Sequence, residues 1–320
     1  MLRSLLIYLS KAAWARKLVT SWKFAWQAAS RFVAGEKLED AIAVVKKLNE
    51  KGINATLDHL GEHTTNADEA CRATQDILKI LDAIRETGVR SNVSLKLTQI
   101  GLGVDENLCA SNLKAILERA RQVGSYVRVD MEDSPWVDKT LDTYRKMRFE
   151  CGLDNIGVVI QAYLYRSEED ILKLREECTG VRLCKGAYKE PADVAFPAKK
   201  DVDANFDHLA RLLMDGASQH GCPQASEDGL VPPLPGLATH DEVRIRNARE
   251  YADRIDLDKR ALEFQMLNGI RRDLQESLAA DGYPVRVYVP YGTEWYPYFM
   301  RRLAERPANV WFFLSNFLRG

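Results

Sequence analysis

Short apolar runs rich in β-branched residues alternate along the chain with longer segments in which apolar residues recur at helical spacing. The apolar runs predict eight strands, at 55–60, 93–97, 126–131, 157–162, 181–185, 236–240, 262–267 and 285–289. The remaining segments predict helices at 65–87, 107–123, 136–150, 167–177, 202–219, 241–254, 269–281 and 294–305. Strands that alternate with helices form parallel βα units. Eight such units predict a (β/α)8 TIM-like barrel. A doubly wound sheet is the alternative, which the missing GxGxxG motif after the first strand disfavours.

Two segments lie outside this eightfold pattern. Residues 1–50 predict two or three additional N-terminal helices, so the sequence divides into a helical arm, 1–50, and a barrel, 51–320. Residues 222–236 are polar and rich in proline, and they predict a long loop before the sixth strand.

The charge of the chain is unevenly distributed. The 320 residues carry a formal net charge of −1, which gives no general argument for nucleic-acid binding. The first 35 residues, however, contain only basic charged side chains: Arg3, Lys11, Arg16, Lys17, Lys23 and Arg31. In the same segment Trp14, Leu18, Trp22 and Trp26 are spaced four apart and form one helical stripe. A basic amphipathic helix with tryptophan is typical of a membrane-surface anchor. The alternatives are packing on the barrel or on a second subunit, and a transit peptide.

The cysteines and the lack of targeting signals indicate a cytoplasmic protein. The six cysteines show no CxxC spacing, and a chain of this length needs no disulfide framework, so we expect reduced thiols. We find no metal-binding pattern and no run of about 18 apolar residues that would predict a membrane span. The N-terminus lacks the apolar core and cleavage site of a secretory signal.

The barrel prediction places the candidate active site at the C-terminal ends of the strands, where the active sites of this fold lie. Nearly every predicted strand ends in side chains able to do chemistry: His59, Glu62, Lys96, Gln99, Asp130, Glu132, Asp133, Gln161, Tyr163, Arg182, Lys185, Tyr188, Thr239, His240, Asp241, Gln265, Arg286 and Tyr288. Each one alone fits a polar strand end or a helix cap, as Asp241 does. The whole set is better explained by a functional site.

The chemistry of these residues favours an anionic ligand. Arg182, Lys185 and Lys96, with the adjacent pair Arg301 and Arg302, would make the mouth of the barrel electropositive. Paired guanidinium groups match the two oxygens of a carboxylate. Apolar walls with hydroxyl tips would come from Tyr188, Tyr288 and Tyr298. The residues alone therefore predict a barrel that binds a small carboxylate, with a bulky anionic cofactor.

Three other functions remain open at this point. Lys185 or Lys96 could form a Schiff base, as in an aldolase. The barrel could belong to a flavin-dependent reductase, such as a folate reductase that consumes NAD(P)H. The chain could also be a non-catalytic scaffold that binds membranes through its basic arm, although the many polar strand ends argue against this.

Nine segments, in order along all eight βα units, hold the most distinctive residue combinations: LDHLGEH (57–63), VSLKLTQIG (93–101), VRVDMED (127–133), QAYLYRS (161–167), VRLCKGAY (181–188), ATHD (238–241), EFQMLNGIRRDL (263–274), VRVYVPYG (285–292) and YFMRRLAERPAN (298–309). In them the chain resembles the monofunctional bacterial proline dehydrogenases. These are FAD-dependent (β/α)8 barrel enzymes that oxidise L-proline to Δ1-pyrroline-5-carboxylate. The KGAY, FQML and YxxRRxxE elements are highly specific.

The resemblance implies a role for each matching position. The catalytic residues would be Arg182, Lys96, Asp130 and Tyr288. The substrate would contact Lys96, Tyr188, Leu267, Tyr288, Tyr298, Arg301 and Arg302, with Arg301 and Arg302 clamping its carboxylate. Glu62 would pair with Arg301 as a gate over the substrate. FAD would contact Gln161, Arg182, Cys184, Lys185, Gly186, Ala187, Thr239, His240, Gln265 and Glu305, with Arg182 near flavin N5.

The resemblance also implies the reaction and the partners. A hydride would pass from C5 of proline to flavin N5, and the electrons would go to a quinone, as the first step of proline catabolism to glutamate. Partners would be L-proline, the quinone and a pyrroline-5-carboxylate dehydrogenase, with membrane contact through residues 1–35. The expected location is the cytoplasm. Within it, the protein could lie peripherally on the inner face of the bacterial plasma membrane.

Overall fold

The structure is a computed structural model that describes residues 23–219 and 224–305, together with positions 6, 8–10, 12, 14, 15 and 19. Eight parallel strands form a closed barrel in which each strand pairs with the next and the last pairs with the first. The strands are β1 Asn54–His59, β2 Ser91–Leu95, β3 Val127–Val129, β4 Ile156–Gln161, β5 Val181–Cys184, β6 Pro235–Ala238, β7 Glu263–Leu267 and β8 Val285–Tyr291. The predicted (β/α)8 fold is therefore confirmed, and the doubly wound alternative is wrong.

A helix follows each strand, and two helices precede the barrel within the described residues. They are α1 Lys23–Ala29, α2 Leu38–Asn49, α3 Ala67–Thr87, α4 Glu106–Gln122, α5 Val137–Arg145, α6 Ser167–Glu176, α7 Lys199–Gln219, α8 Glu242–Arg254, α9 Arg272–Ala280 and α10 Trp295–Glu305. Side-chain caps fix several starts: Asn66, Asp105 and Asp241 each accept a hydrogen bond from a backbone N–H in the first turn of the next helix.

Two predicted boundaries differ from the structure for local reasons. The strand predicted at 126–131 contains only Val127–Val129, because polar residues that face the barrel mouth follow directly. The helix predicted from residue 269 begins at Arg272. Gly269 has φ +75° and Arg271 has φ +52°, so both lie in the left-handed region that a continuing helix excludes.

The strands separate apolar and polar side chains by alternation. In β8, Val285, Val287 and Val289 belong to the main apolar cluster between strands and helices. Between them, Arg286 donates to Glu263 of β7 and Tyr288 donates to Asp130, which directly follows β3. Since successive side chains of a strand point to opposite faces, the barrel interior is largely polar, and the apolar core forms a shell outside it.

A second apolar cluster joins the N-terminal segment to α10. The Trp26 and Trp295 rings lie 5.5 Å apart, and Ala25, Ala29 and Phe299 are buried in the same cluster. Hydrogen bonds continue the contact: Asn268 Nδ2 donates to the Phe32 carbonyl at 3.3 Å, and the Ala34 amide donates to Pro290 at 2.9 Å.

The tryptophan stripe thus divides between two environments. Trp26 packs against the barrel helix, as the packing alternative expects, whereas Trp14 is 62% exposed. Leu18 and Trp22 lie outside the described residues. The boundary at residue 50 between arm and barrel stays a prediction. Among the residues that the structure describes, no helix is long and apolar enough to cross a membrane.

The prediction of reduced cysteines is wrong for Cys178, which is disulfide-bonded. Cys71, Cys109, Cys151 and Cys184 are free. A short spacing between two cysteines would have been the signal for a disulfide, and the six cysteines show none.

Candidate active site

Asp130, Arg182 and Tyr288 converge inside the barrel although they are far apart in sequence: Asp130 directly follows β3, Arg182 lies in β5 and Tyr288 lies in β8. Arg182 Nη1 donates to Asp130 Oδ1 at 2.8 Å, and the Tyr288 hydroxyl donates to Asp130 Oδ2 at 2.7 Å. The Arg182 guanidinium carbon lies 5.2 Å from the centroid of the Tyr288 ring. Burial raises the pKa of Tyr288 well above its ordinary value, and the charges of Asp130 and Asp58 add to this. Tyr288 is therefore a stable hydrogen-bond donor over the whole physiological range.

Lys96 lies between two carboxylates at the end of β2. Its Nζ is 3.8 Å from Asp58 Oδ2 and 3.9 Å from Asp130 Oδ2, and its side chain is 9% exposed. Burial alone would lower the pKa of the Lys96 ammonium, but Asp58 and then Asp130 outweigh burial and raise the pKa. A Schiff-base lysine needs its neutral amine. The environment of Lys96 therefore suits a fixed cation and disfavours the aldolase interpretation.

Asp58 is an almost fully buried carboxylate, with 1% of the residue exposed. Burial raises its pKa, although the Lys96 ammonium acts in the opposite direction. Two carboxylates and one ammonium in such a site are electrostatically coupled. Removal of the Lys96 ammonium would leave Asp58 uncompensated, while Asp130 would keep its ion pair with Arg182.

Glu62, in the loop after β1, meets α10 across the mouth of the barrel. Arg301 Nη1 donates to Glu62 Oε1 at 2.8 Å. Burial alone would raise the pKa of Glu62, but Arg301 and Lys96 outweigh it and lower the pKa. Burial alone would lower the pKa of Arg301, and Glu62 outweighs it to raise the pKa. Both groups are thus held in their charged forms, while their role as a gate stays a prediction.

A cavity of about 570 Å³ lies beside this ion pair. Lys96, Glu62, Tyr298 and Arg301 contribute to its walls, with the loop after β1 and the first turn of α3. On α10, the guanidinium carbon of Arg302 lies 5.0 Å from the centroid of the Tyr298 ring. The walls carry both cations (Arg72, Lys96 and Arg301) and carboxylates (Glu62, Glu69, Asp76 and Glu294), and a small carboxylate could be bound where the cations lie.

Tyr188 and Leu267, two of the predicted substrate contacts, have different surroundings. Burial, followed by the negative charge of Glu62, raises the pKa of Tyr188. The Leu267 amide donates to Nε2 of His240 at 2.9 Å. Because Nε2 accepts this hydrogen bond, the neutral imidazole carries its proton on Nδ1.

The residues expected to hold FAD lie at the ends of β4, β5, β6 and β7. Gln161 Nε2 donates to the Glu132 carbonyl at 2.8 Å, which fixes its side chain. Arg182 is anchored through Nε and Nη1. Among residues 23–219 and 224–305, none accepts a hydrogen bond from its Nη2. That nitrogen can donate to an electron-rich ring, so the donor set fits a flavin.

The KGAY turn adds two further features. Gly186 has φ +115°, and a Cβ there would meet the Tyr163 ring, so only glycine allows this turn. Lys185 Nζ contacts Asp203 at 2.5 Å and Asp241 at 2.8 Å. If Lys185 contacts the cofactor, its ammonium group therefore does so while it is also paired with two carboxylates. Cys184, Ala187 and Thr239 adjoin these positions, and the side chain of Glu305 lies outside the described residues.

One of the strand-end predictions is wrong. Arg286 was expected at the mouth, but it is the second residue of β8 and bonds to Glu263, the first residue of β7. It therefore lies towards the N-terminal end of the barrel. An isolated strand pattern does not show where along the barrel axis a residue lies.

Three polar residues that adjoin this site were not among the predicted site residues: Asp58, Ser94 and Glu263. Ser94 Oγ donates to Asp130 Oδ1 at 2.6 Å. The sequence signal that could have identified them is a polar side chain in the middle or at the start of an otherwise apolar strand. Burial of such a side chain costs free energy unless it is paired inside the barrel.

Comparisons with known proteins identify the family of this chain. The family model described as proline dehydrogenase matches residues 41–314. The chain is 42% identical to proline dehydrogenase 1 of Bacillus subtilis over the full length of both chains. It is 41% identical to proline dehydrogenase of Deinococcus radiodurans, covering 92% of this chain and 91% of that one.

A solved structure gives the same result for the fold. Proline utilization A (PutA) from Bdellovibrio bacteriovorus, inactivated by N-propargylglycine, aligns with a TM-score of 0.79 and 25% identity. The alignment covers 88% of this chain and 33% of that larger chain. The family match and the full-length relatives establish that this chain belongs to the proline dehydrogenase family.

Proposed function

We propose that the chain oxidises L-proline to Δ1-pyrroline-5-carboxylate with FAD as cofactor and passes the electrons to a quinone, as the first step of proline catabolism to glutamate. One observation carries the proposal. Lys96 and Arg301 line the same cavity, and Lys96 adjoins Asp130, which in turn binds Arg182. A carboxylate-binding cavity is thereby connected to a cation suited to a flavin.

The substrate carboxylate is bound by Lys96, Arg301 and Arg302 in this proposal. The first two are held as cations by neighbouring carboxylates. Arg301 is paired with Glu62, so the substrate carboxylate competes with Glu62 for the guanidinium. The ring of proline packs between side chains with apolar bodies: Tyr188, Leu267, Tyr288 and Tyr298. Such a clamp holds C5 in one orientation, which is the main contribution of positioning to rate.

FAD would be held by residues in or directly after β4–β7, and by Glu305 at the end of α10. The residues in or directly after the strands are Gln161, Arg182, Cys184, Lys185, Gly186, Ala187, Thr239, His240 and Gln265. When bound, FAD supplies the acceptor that takes the hydride from C5 of proline at N5. Arg182 supplies positive charge beside that acceptor and favours its reduction. Asp130 and Tyr288 keep Arg182 in place through the hydrogen bonds described above.

The substrate nitrogen must lose its extra proton before the hydride leaves, because its lone pair stabilises the resulting C=N bond. Tyr288 and Lys96 have raised pKa values and are poor proton acceptors at neutral pH. We therefore infer that proline gives up this proton to solvent and binds as the neutral amine.

An assay with two electron sources tests the proposed function. Proline and a soluble quinone should yield reduced quinone together with Δ1-pyrroline-5-carboxylate, which 2-aminobenzaldehyde traps as a coloured adduct. NADH in place of proline should give no quinone reduction. Quinone reduction by NADH alone would instead favour the reductase alternative.

Two further proposals concern the partners of the protein: the membrane and the enzyme that consumes the product. The basic residues 1–35 would bring the protein to the inner face of the plasma membrane, where quinones reside. Sedimentation with anionic vesicles, compared between the full chain and its Lys11→Gln/Arg16→Gln/Lys17→Gln variant, tests this contact. The product would be consumed by a pyrroline-5-carboxylate dehydrogenase, and co-purification of the two enzymes tests whether they associate.

A further inference from the structure

A buried ion pair lies inside the barrel on the side away from the mouth. Glu263 is fully buried, and Arg286 Nε donates to its two carboxylate oxygens at 2.9 and 3.1 Å. The other Arg286 nitrogens donate to the carbonyls of Ala55 at 2.8 Å and Gly229 at 2.7 Å. The interior of a (β/α)8 barrel is usually filled by branched apolar residues. A charged pair here is costly to desolvate, which raises the question of what it does.

Gln265 connects this ion pair to Arg182. Its Nε2 donates to Glu263 Oε1 at 2.7 Å, and its Oε1 accepts from Arg182 Nε at 2.6 Å. A carboxylate can only accept hydrogen bonds and a guanidinium can only donate them. Only one orientation of the Gln265 amide satisfies both neighbours, so Glu263 determines which end of the amide faces Arg182.

The intervening strand is shaped to allow this connection. Gly236 on β6 lies in register between Arg182 on β5 and Glu263 on β7. A Cβ at position 236 would come within 2.5 Å of Gln265 Nε2. The Gln265 amide therefore occupies the space that a side chain at 236 would fill, and from there it reaches Arg182.

The connection fixes the whole Arg182 head group. Nε is held by Gln265, while Nη1 donates to Asp130 at 2.8 Å and to Ser94 at 3.2 Å. Because the guanidinium is planar, fixing Nε and Nη1 also fixes Nη2. That is the nitrogen with no acceptor among the described residues.

We propose that Glu263 is a positioning residue for the redox step: through Gln265 it holds the Arg182 guanidinium in the orientation in which Nη2 faces the flavin. The inference rests on the proposed function only in the last link, the contact between Arg182 and the flavin. The Glu263–Gln265–Arg182 chain of hydrogen bonds is a property of the protein alone, and it can be tested without catalysis.

The test uses a double variant, Glu263→Leu/Arg286→Met, because the single variant Glu263→Gln leaves Arg286 buried without its counter-ion and could fail to fold. Replacing both charges by apolar residues of similar size usually preserves stability. In this variant the Gln265 amide has lost the acceptor that sets its orientation. The first readout is the Arg182 Nε–H signal in a ¹H–¹⁵N spectrum of the protein without proline, assigned by its loss in Arg182→Lys.

We expect the Arg182 Nε–H of the double variant to exchange with water at least about 10-fold faster than in the parent protein, because its hydrogen bond to Gln265 opens more often once the amide is no longer oriented. We also expect proline to reduce the flavin about 10-fold more slowly. The proline Kd should stay within about 2-fold of the parent value, since the carboxylate clamp is untouched. Tyr144→Phe is the matched control. It removes a buried hydrogen bond to Thr179 outside the barrel interior and should change neither readout.

The outcomes separate the two proposals. An unchanged Nε–H signal in a folded double variant would overturn the positioning role of Glu263. Faster exchange together with an unchanged flavin reduction rate would overturn it as well, because the orientation would then have no catalytic effect. A parent protein that binds no flavin would overturn the proposed function, while the exchange experiment would still report on the chain of hydrogen bonds.

Discussion

Inside the barrel, Lys96, Arg182 and Arg286 each have a carboxylate within reach, whereas Arg128 donates to the backbone carbonyls of Val158 and Gly180. Lys96 has Asp58 and Asp130, and Arg182 shares Asp130. The sequence indicated the residues at the strand ends, because reactive side chains follow apolar runs there. It did not indicate Asp58, because whether a strand residue faces the interior or a helix depends on register, which one sequence does not specify.

Arg302→Met tests the carboxylate clamp. Loss of a charge-assisted contact with the substrate should raise the proline Kd about 100-fold, or ~2.7 kcal/mol. Bound FAD should stay near one per chain, because Arg302 is expected to touch only the substrate. Titration of flavin fluorescence or absorbance with proline measures both quantities. The surface variant Arg249→Met serves as control, and equal loss of proline and flavin would remove Arg302 from the substrate site.

Tyr288→Phe tests the origin of the pH dependence. We expect kcat/KM of the parent to rise with pH until free proline is deprotonated, because only the neutral amine can release the hydride. Since the pKa of Tyr288 is raised well above its ordinary value, the variant should lose about 10-fold in kcat yet keep the same profile. Initial rates from pH 6 to 9 measure this. A flat profile in the parent would contradict the account.

At the scale of elements, the alternation of apolar runs and helical segments was sufficient to predict the barrel, because each βα unit carries its own local signal. The exceptions are positions where tertiary contacts or backbone conformation determine where an element begins or ends. β3 is short because Asp130 follows it directly into the interior network, and α9 begins late because Gly269 and Arg271 form a left-handed turn.

Glu62→Gln tests the link between the β1–α3 loop and α10. The variant keeps the size of the side chain but removes the charge that holds Arg301. Proline should bind and dissociate faster, each by about 3- to 10-fold, because a neutral amide holds a guanidinium less strongly than a carboxylate does. Stopped-flow flavin absorbance at several proline concentrations measures both rates. Glu69→Gln, at the rim of the same cavity, is the control, and unchanged rates would exclude Glu62 as a gate.

At the scale of the whole molecule, the polar interior is enclosed by an apolar shell, and the N-terminal segment packs on the helix that carries the arginine pair. Trp26 against Trp295 and the bond from Asn268 to Phe32 link this segment to the barrel. The sequence left anchor and packing open for the tryptophan stripe, because one amphipathic pattern serves either purpose.

Lys96→Met tests how the interior charges contribute to global stability. With the ammonium removed, Asp58 remains buried without its cation, while Asp130 keeps Arg182, and the free energy of unfolding should fall by about 3 kcal/mol at pH 7. The folded pKa of Asp58, which burial already raises, then lies further above its unfolded value. The folded state therefore binds more protons, and the variant should become more stable as pH falls. Urea unfolding between pH 5 and 8 should show the loss relative to the parent shrinking towards pH 5; a loss independent of pH would contradict this.

An absorption spectrum of the purified protein from 300 to 550 nm, before and after L-proline is added without oxygen, tests the proposed cofactor and substrate together. We expect a flavin spectrum whose band near 450 nm bleaches on addition of proline. Flavin that stays oxidised with proline would contradict the proposed substrate. A protein that remains colourless after FAD is supplied would contradict the proposed cofactor and the mechanism built on it.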